Sequence, residues 1–250
     1  MADYVTWKLD FRDKIDYEEL NKKIDSFIKQ NKICDINAVY PPTTACAVPA
    51  LCSGVEPLKT GWVGWSNYFS EVDKYVVMFR NLEYYSNEPV SINIEKDILP
   101  YKKFYEDFDT YKFELGPSFT PSNCQSFLEM CDRYIEETKD KKSSFCYMYW
   151  TEPDTVMHIN GAYSIEAKNE LKMMDETLKK MHERLSDDTL IIITADHGCD
   201  PTYKGTDHTR ERVPVILFGK NIKEENIDNR QNKHKIEDSE GRNKLWQLNL

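Results

Sequence analysis

Three short apolar segments, separated by helical patterns, constrain the fold of this chain most strongly. They read FCYMYWT (145–151), DTLIIIT (188–194) and VPVILF (213–218). Between the first two, apolar residues from Ala167 to Leu185 recur at alternating steps of four and three, which predicts an amphipathic helix. Apolar strands that alternate with helices are typical of an α/β protein, in which helices cover both faces of a mostly parallel sheet. We therefore predict this fold, with functional residues in the loops that follow the carboxyl ends of strands.

The first half of the chain continues the alternation of helices and strands. The apolar spacing in YEELNKKIDSFIKQ predicts a helix over 17–30, and ICDINAVY predicts a strand over 33–40. The following PPTTACAVPALCSG has the composition of a strand-to-helix turn, and YVVMF (75–79) predicts another strand. The sequence SNCQ is a capping-box pattern, which predicts a helix over about 122–138.

Two regions lack this regularity. Residues 80–121 mix polar and aromatic residues without a sustained period, and we assign them to an inserted cap or substrate loop. Residues 220–250 form a polar C-terminal tail. The predicted α/β metallo-hydrolase core therefore comprises residues 1–79 and 122–219.

The charge and cysteine content exclude several classes of protein. With 33 basic and 43 acidic residues, the formal net charge of -10 would repel a nucleic acid polymer. The sequence contains no apolar run of the roughly 20 residues that span a bilayer, and its first residues do not resemble a secretory signal. The seven cysteines are scattered and odd in number, as expected for reduced thiols. We expect a cytoplasmic protein without a membrane partner; its oligomeric state is not predicted.

Acidic and imidazole side chains lie in loops beside the predicted strands. Asp196 and His197 come directly after DTLIIIT, Asp154 and His158 follow FCYMYWT, and His208 precedes VPVILF. Each motif alone is also compatible with an ordinary turn or a solvated loop. Because all three occur at loops on one predicted edge of the sheet, they indicate a site for zinc, manganese or a similar ion.

The predicted strand-to-helix turn also offers a hydroxyl group, in PTTA at residues 42–45. Thr44 lies where the positive end of a helix and free backbone N–H groups would favour a phosphoryl oxygen. A threonine hydroxyl becomes an effective nucleophile when a metal lowers its pKa. The alternative is that the threonine only caps the helix.

Three segments carry a resemblance to a known family. They are PPTTACAVPALCSGVEPLKTGWVGW, YWTEPDTVMHINGAYS and TADHGCDPTYKGTDHTRERVP. Together they resemble the alkaline phosphatase superfamily, and in particular its type I phosphodiesterase/nucleotide pyrophosphatase family. The last segment also resembles phosphopentomutase. The resemblance implies two divalent metal ions, zinc or manganese, and a covalent phospho-threonine.

The resemblance also implies a role for each candidate residue. Thr44 would be the nucleophile. The ligands of one metal would be Asp154, His158 and His208, and those of the other Asp196 and His197. Members of the family supply one more aspartate from the first strand, in an Asp-Gly pair that is absent here. Asp10 is our candidate for this ligand. The chain also has Thr60 where the family has a histidine.

We therefore predict a metal-dependent phosphodiesterase or nucleotide pyrophosphatase. Its substrate would be a small phosphorylated molecule, and nucleotides are among the candidates. The alternatives are a phosphatase or phosphosugar mutase of the same superfamily, and a shortened, non-catalytic binding protein. Trp62, Trp65 and Tyr68 could stack on a substrate or simply pack against their neighbours.

Overall fold

The computed structural model describes residues 26–200 and 208–219. The helices are α1 (Phe27–Asn31), α2 (Thr44–Ser53), α3 (Pro57–Thr60), α4 (Phe127–Thr138), α5 (Asp154–Asn160) and α6 (Ile165–Arg184). The strands are β1 (Lys32–Asn37), β2 (Ser66–Phe69), β3 (Lys74–Val77), β4 (Leu82–Glu83), β5 (Tyr111–Leu115), β6 (Ser144–Met148), β7 (Ile191–Thr194) and β8 (Arg212–Phe218). A π-helical turn spans Ile94–Ile98. The candidate ligand Asp10, the predicted tail and residues 17–25 of the first predicted helix lie outside the described residues.

The long helix α6 confirms the helical period read from the sequence. Its first turn is capped by Ser164, whose hydroxyl accepts a hydrogen bond from the amide of Ala167. Its apolar face, which includes Met174, Leu178 and Met181, is buried in the main core. Helix α4 and strands β5, β6, β7 and β8 contribute to the same core, so α6 ties the strands that carry the candidate site to one packed interior.

The α/β class is confirmed, but the strand directions differ from the expectation of a mostly parallel sheet. Strand β8 lies between β1 and β7 and runs antiparallel to both. Strands β2, β3 and β4 form a second antiparallel sheet, whereas β5 and β6 pair in parallel. A continuous apolar sequence indicates that a strand is buried. Because burial does not depend on the direction of the neighbouring strand, the pattern does not distinguish parallel from antiparallel pairing.

A second, smaller core lies beside the start of α2. It includes Ala45 of α2, Trp62 from the loop after α3, Phe69 of β2, Val76 of β3, and Ile94. Trp62 is fully buried, and its indole N–H donates to the carbonyl of Leu99 at 3.0 Å. Trp62 therefore packs against its neighbours in the core and is not exposed to stack on a substrate.

Strand β5 falls inside the segment that the sequence assigns to a cap. It pairs with β6 from Tyr111 opposite Ser144 to Leu115 opposite Met148. The division into a core, a cap at 80–121 and a tail stays a prediction.

The predicted start of α4 was wrong by about four residues. The helix begins after Ser126, whose hydroxyl accepts from the amide of Glu129, while the Glu129 carboxylate accepts from the amide of Gln125. Ser122 cannot cap the helix because its hydroxyl already bonds to the amide and the carbonyl of Gly116.

Two further expectations concern thiols and membranes. All seven cysteines lie among the described residues, and none forms a disulfide. Within residues 26–200 and 208–219, no helix is both long enough and apolar enough to cross a membrane.

Candidate metal centre

Thr44 is the first residue of α2 and faces a histidine from a distant part of the chain. Its Oγ1 lies 3.3 Å from Nε2 of His197. The small residues Ala45, Cys46 and Ala47, which follow it, are buried, so the first turn of the helix is fixed against the interior. The preceding residue, Thr43, makes no capping hydrogen bond with its side chain. The Thr44 hydroxyl is therefore held at the positive end of a ten-residue helix.

The antiparallel pairing of β7 and β8 explains why two histidine loops meet. Thr194, at the end of β7, pairs with Val215, so both ends of the connection between these strands lie at one edge of the sheet. Beyond that edge, Gly198 and Thr209 exchange two backbone hydrogen bonds of 3.1 and 3.0 Å. This bridge brings the segment that contains His197 against the segment that contains His208. Their rings stack, with centroids 3.8 Å apart.

Helix α5 supplies the second pair of candidate ligands. Asp154 is its first residue and His158 lies one turn later, so their side chains share a face of the helix. The His158 Nε2 atom is 3.3 Å from Asp154 Oδ2 and 2.9 Å from His208 Nε2. Asp154 Oδ1 lies 3.6 Å from His208 Nε2 and 4.0 Å from His197 Nε2. The carboxylate of Asp154 is thus the common neighbour of three imidazoles.

Asp196 completes the cluster from the end of β7. Its Oδ2 atom lies 3.5 Å from His197 Nε2, is buried, and has no hydrogen bond from any described residue. A buried carboxylate oxygen without a donor is unfavourable unless a cation neutralises it. The donor set therefore fits a divalent cation.

Ligand atoms of Asp154, His197 and His208 all lie within 4.8 Å of one another. This distance is compatible with one ion held by carboxylate oxygen and imidazole nitrogen. The grouping joins His197 to Asp154 and His208, whereas the family resemblance implies that His197 serves the other ion. The structure brings together Thr44 and all five predicted ligands that it describes; their assignment to individual ions stays a prediction.

The electrostatics keep these groups in the forms that bind metals. Burial raises the pKa of Asp154, but the hydrogen bond with His208 and the nearby histidines outweigh it and hold the pKa below its ordinary value of 3.8. Burial lowers the pKa of His197 below its ordinary value of 6.5, and His208 acts in the same direction. At neutral pH the site therefore presents a carboxylate and a neutral imidazole, which are the forms that coordinate metal ions.

Sequence reasoning missed a tyrosine next to the candidate nucleophile. The Tyr149 hydroxyl interacts with the Thr44 side chain. Burial, followed by the charges of Asp196 and Asp154, raises the pKa of Tyr149. The phenol is therefore neutral at physiological pH, and its oxygen can accept a hydrogen bond from the Thr44 hydroxyl, a contact that by itself lowers the pKa of Tyr149. A tyrosine inside an apolar strand segment gives no separate signal in the sequence, so only the structure reveals this contact.

Comparison with known proteins supports the metal centre. The sequence model of the Metalloenzyme superfamily matches residues 102–241, which is more than half of the chain. The matched range includes all five described candidate ligands and excludes Thr44.

Similar curated proteins are phosphopentomutases. The one from Elusimicrobium minutum is 41% identical over 104 residues, which cover 41% of this chain and 26% of that protein. The one from Helicobacter pylori strain P12 is 34% identical over 118 residues, 45% of this chain and 25% of that protein. The one from Rhizobium etli is 53% identical over 57 residues, 23% of this chain and 14% of that protein.

The chain thus spans about a quarter, or less, of the length of these curated relatives. They bear out the resemblance to alkaline phosphatase-like enzymes. They do not support the narrower expectation of the nucleotide pyrophosphatase family, because they carry the name of a mutase. Because the superfamily model matches more than half of the chain, including most of the candidate site, the chain belongs to the Metalloenzyme superfamily.

Proposed function

We propose that this chain carries the metal-dependent phosphoryl-transfer site of a phosphosugar mutase, with a pentose phosphate as its substrate. The observation that supports the proposal most directly is the position of Thr44. Its hydroxyl lies 3.3 Å from His197, beside a cluster in which Asp154 and His208 approach the same histidine. The names of the similar proteins favour the mutase over the hydrolase expected from the sequence.

The chain's own groups account for how a phosphoryl group would be held. The first residue of α2 lies where helix N–H groups and the helix dipole favour phosphoryl oxygens. The neutral Tyr149 phenol, in contact with Thr44, can orient the threonine hydroxyl. Divalent ions, when bound, supply positive charge to the phosphoryl oxygens and lower the pKa of a nearby hydroxyl.

In a mutase the phosphoryl group passes between Thr44 and the two ends of one sugar. Each transfer forms one P–O bond and breaks another. When the sugar donates its phosphoryl group to Thr44, the sugar oxygen gains a proton and the threonine oxygen loses one. When Thr44 returns the group to a different hydroxyl of the same sugar, that hydroxyl loses its proton and the Thr44 hydroxyl is restored. A hydrolase differs only in the last acceptor, which is water.

The test is isomerisation of ribose 1-phosphate to ribose 5-phosphate, followed by ³¹P NMR with Mn²⁺ or Zn²⁺ present. We expect the isomer to form with the wild-type protein and its rate to fall roughly a thousandfold or more in Thr44→Ala. Thr43→Ala is the matched control, because this neighbouring hydroxyl makes no capping hydrogen bond. A metal-binding measurement on each variant shows whether the site remains assembled.

Other products identify the competing functions. Release of inorganic phosphate without isomer formation would mark a phosphatase. Cleavage of bis(p-nitrophenyl) phosphate, lost in Thr44→Ala, would mark a phosphodiesterase. A metal-loaded protein that converts none of these compounds would be a binding protein, and each of these three results would overturn the mutase proposal.

A further inference from the structure

A tyrosine and an arginine from distant parts of the chain are in contact, each within a few residues of a candidate site residue. The guanidinium carbon of Arg210 lies over the ring of Tyr40, 5.3 Å from its centroid. Tyr40 is four residues before Thr44, and Arg210 is two residues after His208. The pair therefore connects the loop before the candidate nucleophile with the loop that carries a candidate metal ligand.

Both partners stand on anchored backbone. The amide of Thr43 donates to the carbonyl of Pro41 at 3.0 Å, which fixes the turn between Tyr40 and α2. On the other side, Thr209 exchanges two backbone hydrogen bonds with Gly198. The Thr209 hydroxyl also accepts from the amide of Asp200. Arg210 thus directly follows a residue whose backbone is hydrogen-bonded to Gly198, the neighbour of the candidate ligand His197.

Both members of the pair are exposed to solvent. Tyr40 is 68% exposed, and Arg210 is also exposed. Among the described residues, no carboxylate forms an ion pair with Arg210, so its in-plane N–H groups are available to a ligand. A cation over an aromatic face is attracted by the ring, and a guanidinium held in this way can still donate N–H bonds to a phosphate group.

The negative charge around the site indicates a role for this guanidinium in binding an anion. Asp154 and Asp196 lie in the cluster, and the chain as a whole has a net charge of -10. An anionic substrate that approaches such a surface needs local positive charge beyond that of a bound metal. Arginine presents two parallel N–H donors that match two oxygens of a phosphate group.

We propose that Arg210, positioned by the ring of Tyr40, forms a phosphate-binding site at the mouth of the candidate metal centre and selects phosphate monoesters. This inference rests on the proposed function for its substrate class. Arg210 acts in binding, and Tyr40 is a positioning residue that limits where the guanidinium can lie. Loss of Arg210 therefore raises KM for the phosphosugar and leaves kcat close to that of the wild type.

The test is calorimetric titration of the metal-loaded full chain with inorganic phosphate. We expect Arg210→Gln to weaken phosphate binding about tenfold, which corresponds to about 1.4 kcal/mol. Arg210→Lys keeps the positive charge but loses the two parallel N–H donors, so its phosphate affinity should lie between those of the wild type and Arg210→Gln. Tyr40→Leu should weaken binding roughly two- to threefold, and more than Tyr40→Phe, because the phenyl ring keeps the aromatic face.

Arg212→Gln is the matched control. Arg212 lies two residues further along and donates instead to the backbone carbonyl of Asp35. Phosphate affinity of Arg210→Gln within twofold of wild type would overturn the inference, and so would an equal loss in Arg212→Gln. A parallel loss of metal affinity in Arg210→Gln would also overturn it, because the role would then be structural.

The titration separates this inference from the proposed function because it requires no turnover. If Arg210→Gln binds phosphate more weakly but the wild type converts no phosphosugar, the phosphate site stands and the mutase proposal falls. If the wild type isomerises ribose 1-phosphate but phosphate affinity does not depend on Arg210, the mutase proposal stands and the phosphate site falls.

Discussion

Gly198 lies where the two histidine loops touch, and its replacement by alanine tests whether that contact assembles the site. A Cβ atom at this position would lie 2.7 Å from Glu211 Cβ, 2.9 Å from Glu211 N and 3.1 Å from Glu211 Cα. Two of these three atoms belong to the backbone, so a change of side-chain rotamer cannot relieve the collision. The loops must separate instead, and His197 must move relative to His208.

The expected effect follows from these distances. Overpacking costs typically about 1–3 kcal/mol, and a collision with backbone belongs at the upper end. For a chain of this size, about 3 kcal/mol corresponds to a fall in Tm of roughly 6–12 °C. Because the separation also stretches the backbone bridge between Gly198 and Thr209, metal affinity should fall about tenfold or more, as it does when the support of a ligand is lost.

Gly54→Ala separates general destabilisation from damage to the site. Gly54 ends α2 with φ 68°, and a Cβ there would meet no atom within 4 Å. Alanine in this left-handed conformation costs about 1–2 kcal/mol. Because Gly54 lies ten residues from Thr44, or about 15 Å along the helix, metal affinity should not change. Calorimetric unfolding and metal titration of both variants measure the two effects. Wild-type Tm and metal affinity in Gly198→Ala would refute the reasoning.

Three further predictions follow from other contacts. Metal at about a hundred times its Kd should stabilise the wild type by about 2.7 kcal/mol and raise its Tm by roughly 5–11 °C. Asp154→Asn should show no such rise in Tm, and thermal unfolding with and without chelator measures the difference. Burial raises the pKa of Glu114, but bonds from Lys103 and Tyr105 hold it below 4.5, so this stabilisation exists above pH 4.5 and disappears as pH falls through the lowered pKa. The Tm difference between the wild type and Glu114→Gln should therefore shrink below about pH 4.5 and vanish in stronger acid; an unchanged difference would contradict it. Asp175 accepts three hydrogen bonds from the start of α1, so Asp175→Asn should lower the free energy of unfolding by about 2 kcal/mol in urea, and a loss under 0.5 kcal/mol would count against that role.

The sequence predicts most reliably those elements whose burial has a period. The helix α6 and the apolar strands β6, β7 and β8 lie where the pattern places them. Strand direction was not predictable because it depends on which strands become neighbours, and the apolar run of β8 fits an antiparallel partner as well as a parallel one.

Local signals that compete are harder to decide. Two capping boxes, SNCQ and SFLE, lie four residues apart, and only the second caps α4. The choice depends on Gly116, which lies six residues before Ser122 and engages its hydroxyl. The sequence does not show this contact.

The sequence could predict that the described candidate ligands lie close together, but it could not predict their individual contacts. Aspartate and histidine in loops beside three predicted strands suffice to predict that these loops meet. The contact of Tyr149 with Thr44 and that of Arg210 with Tyr40 join distant segments, and neither residue is unusual in its local sequence. Such partners become visible only when the chain is folded.

The most direct test of the central claim is the anomalous diffraction signal of crystals grown with Mn²⁺ or Zn²⁺. We predict an ion about 2.0–2.2 Å from the carboxylate of Asp154 and from at least two of the three clustered imidazoles, with the Thr44 hydroxyl next to it. An ion bound elsewhere, or a metal-loaded structure in which Thr44 lies remote from the ion, would contradict the account.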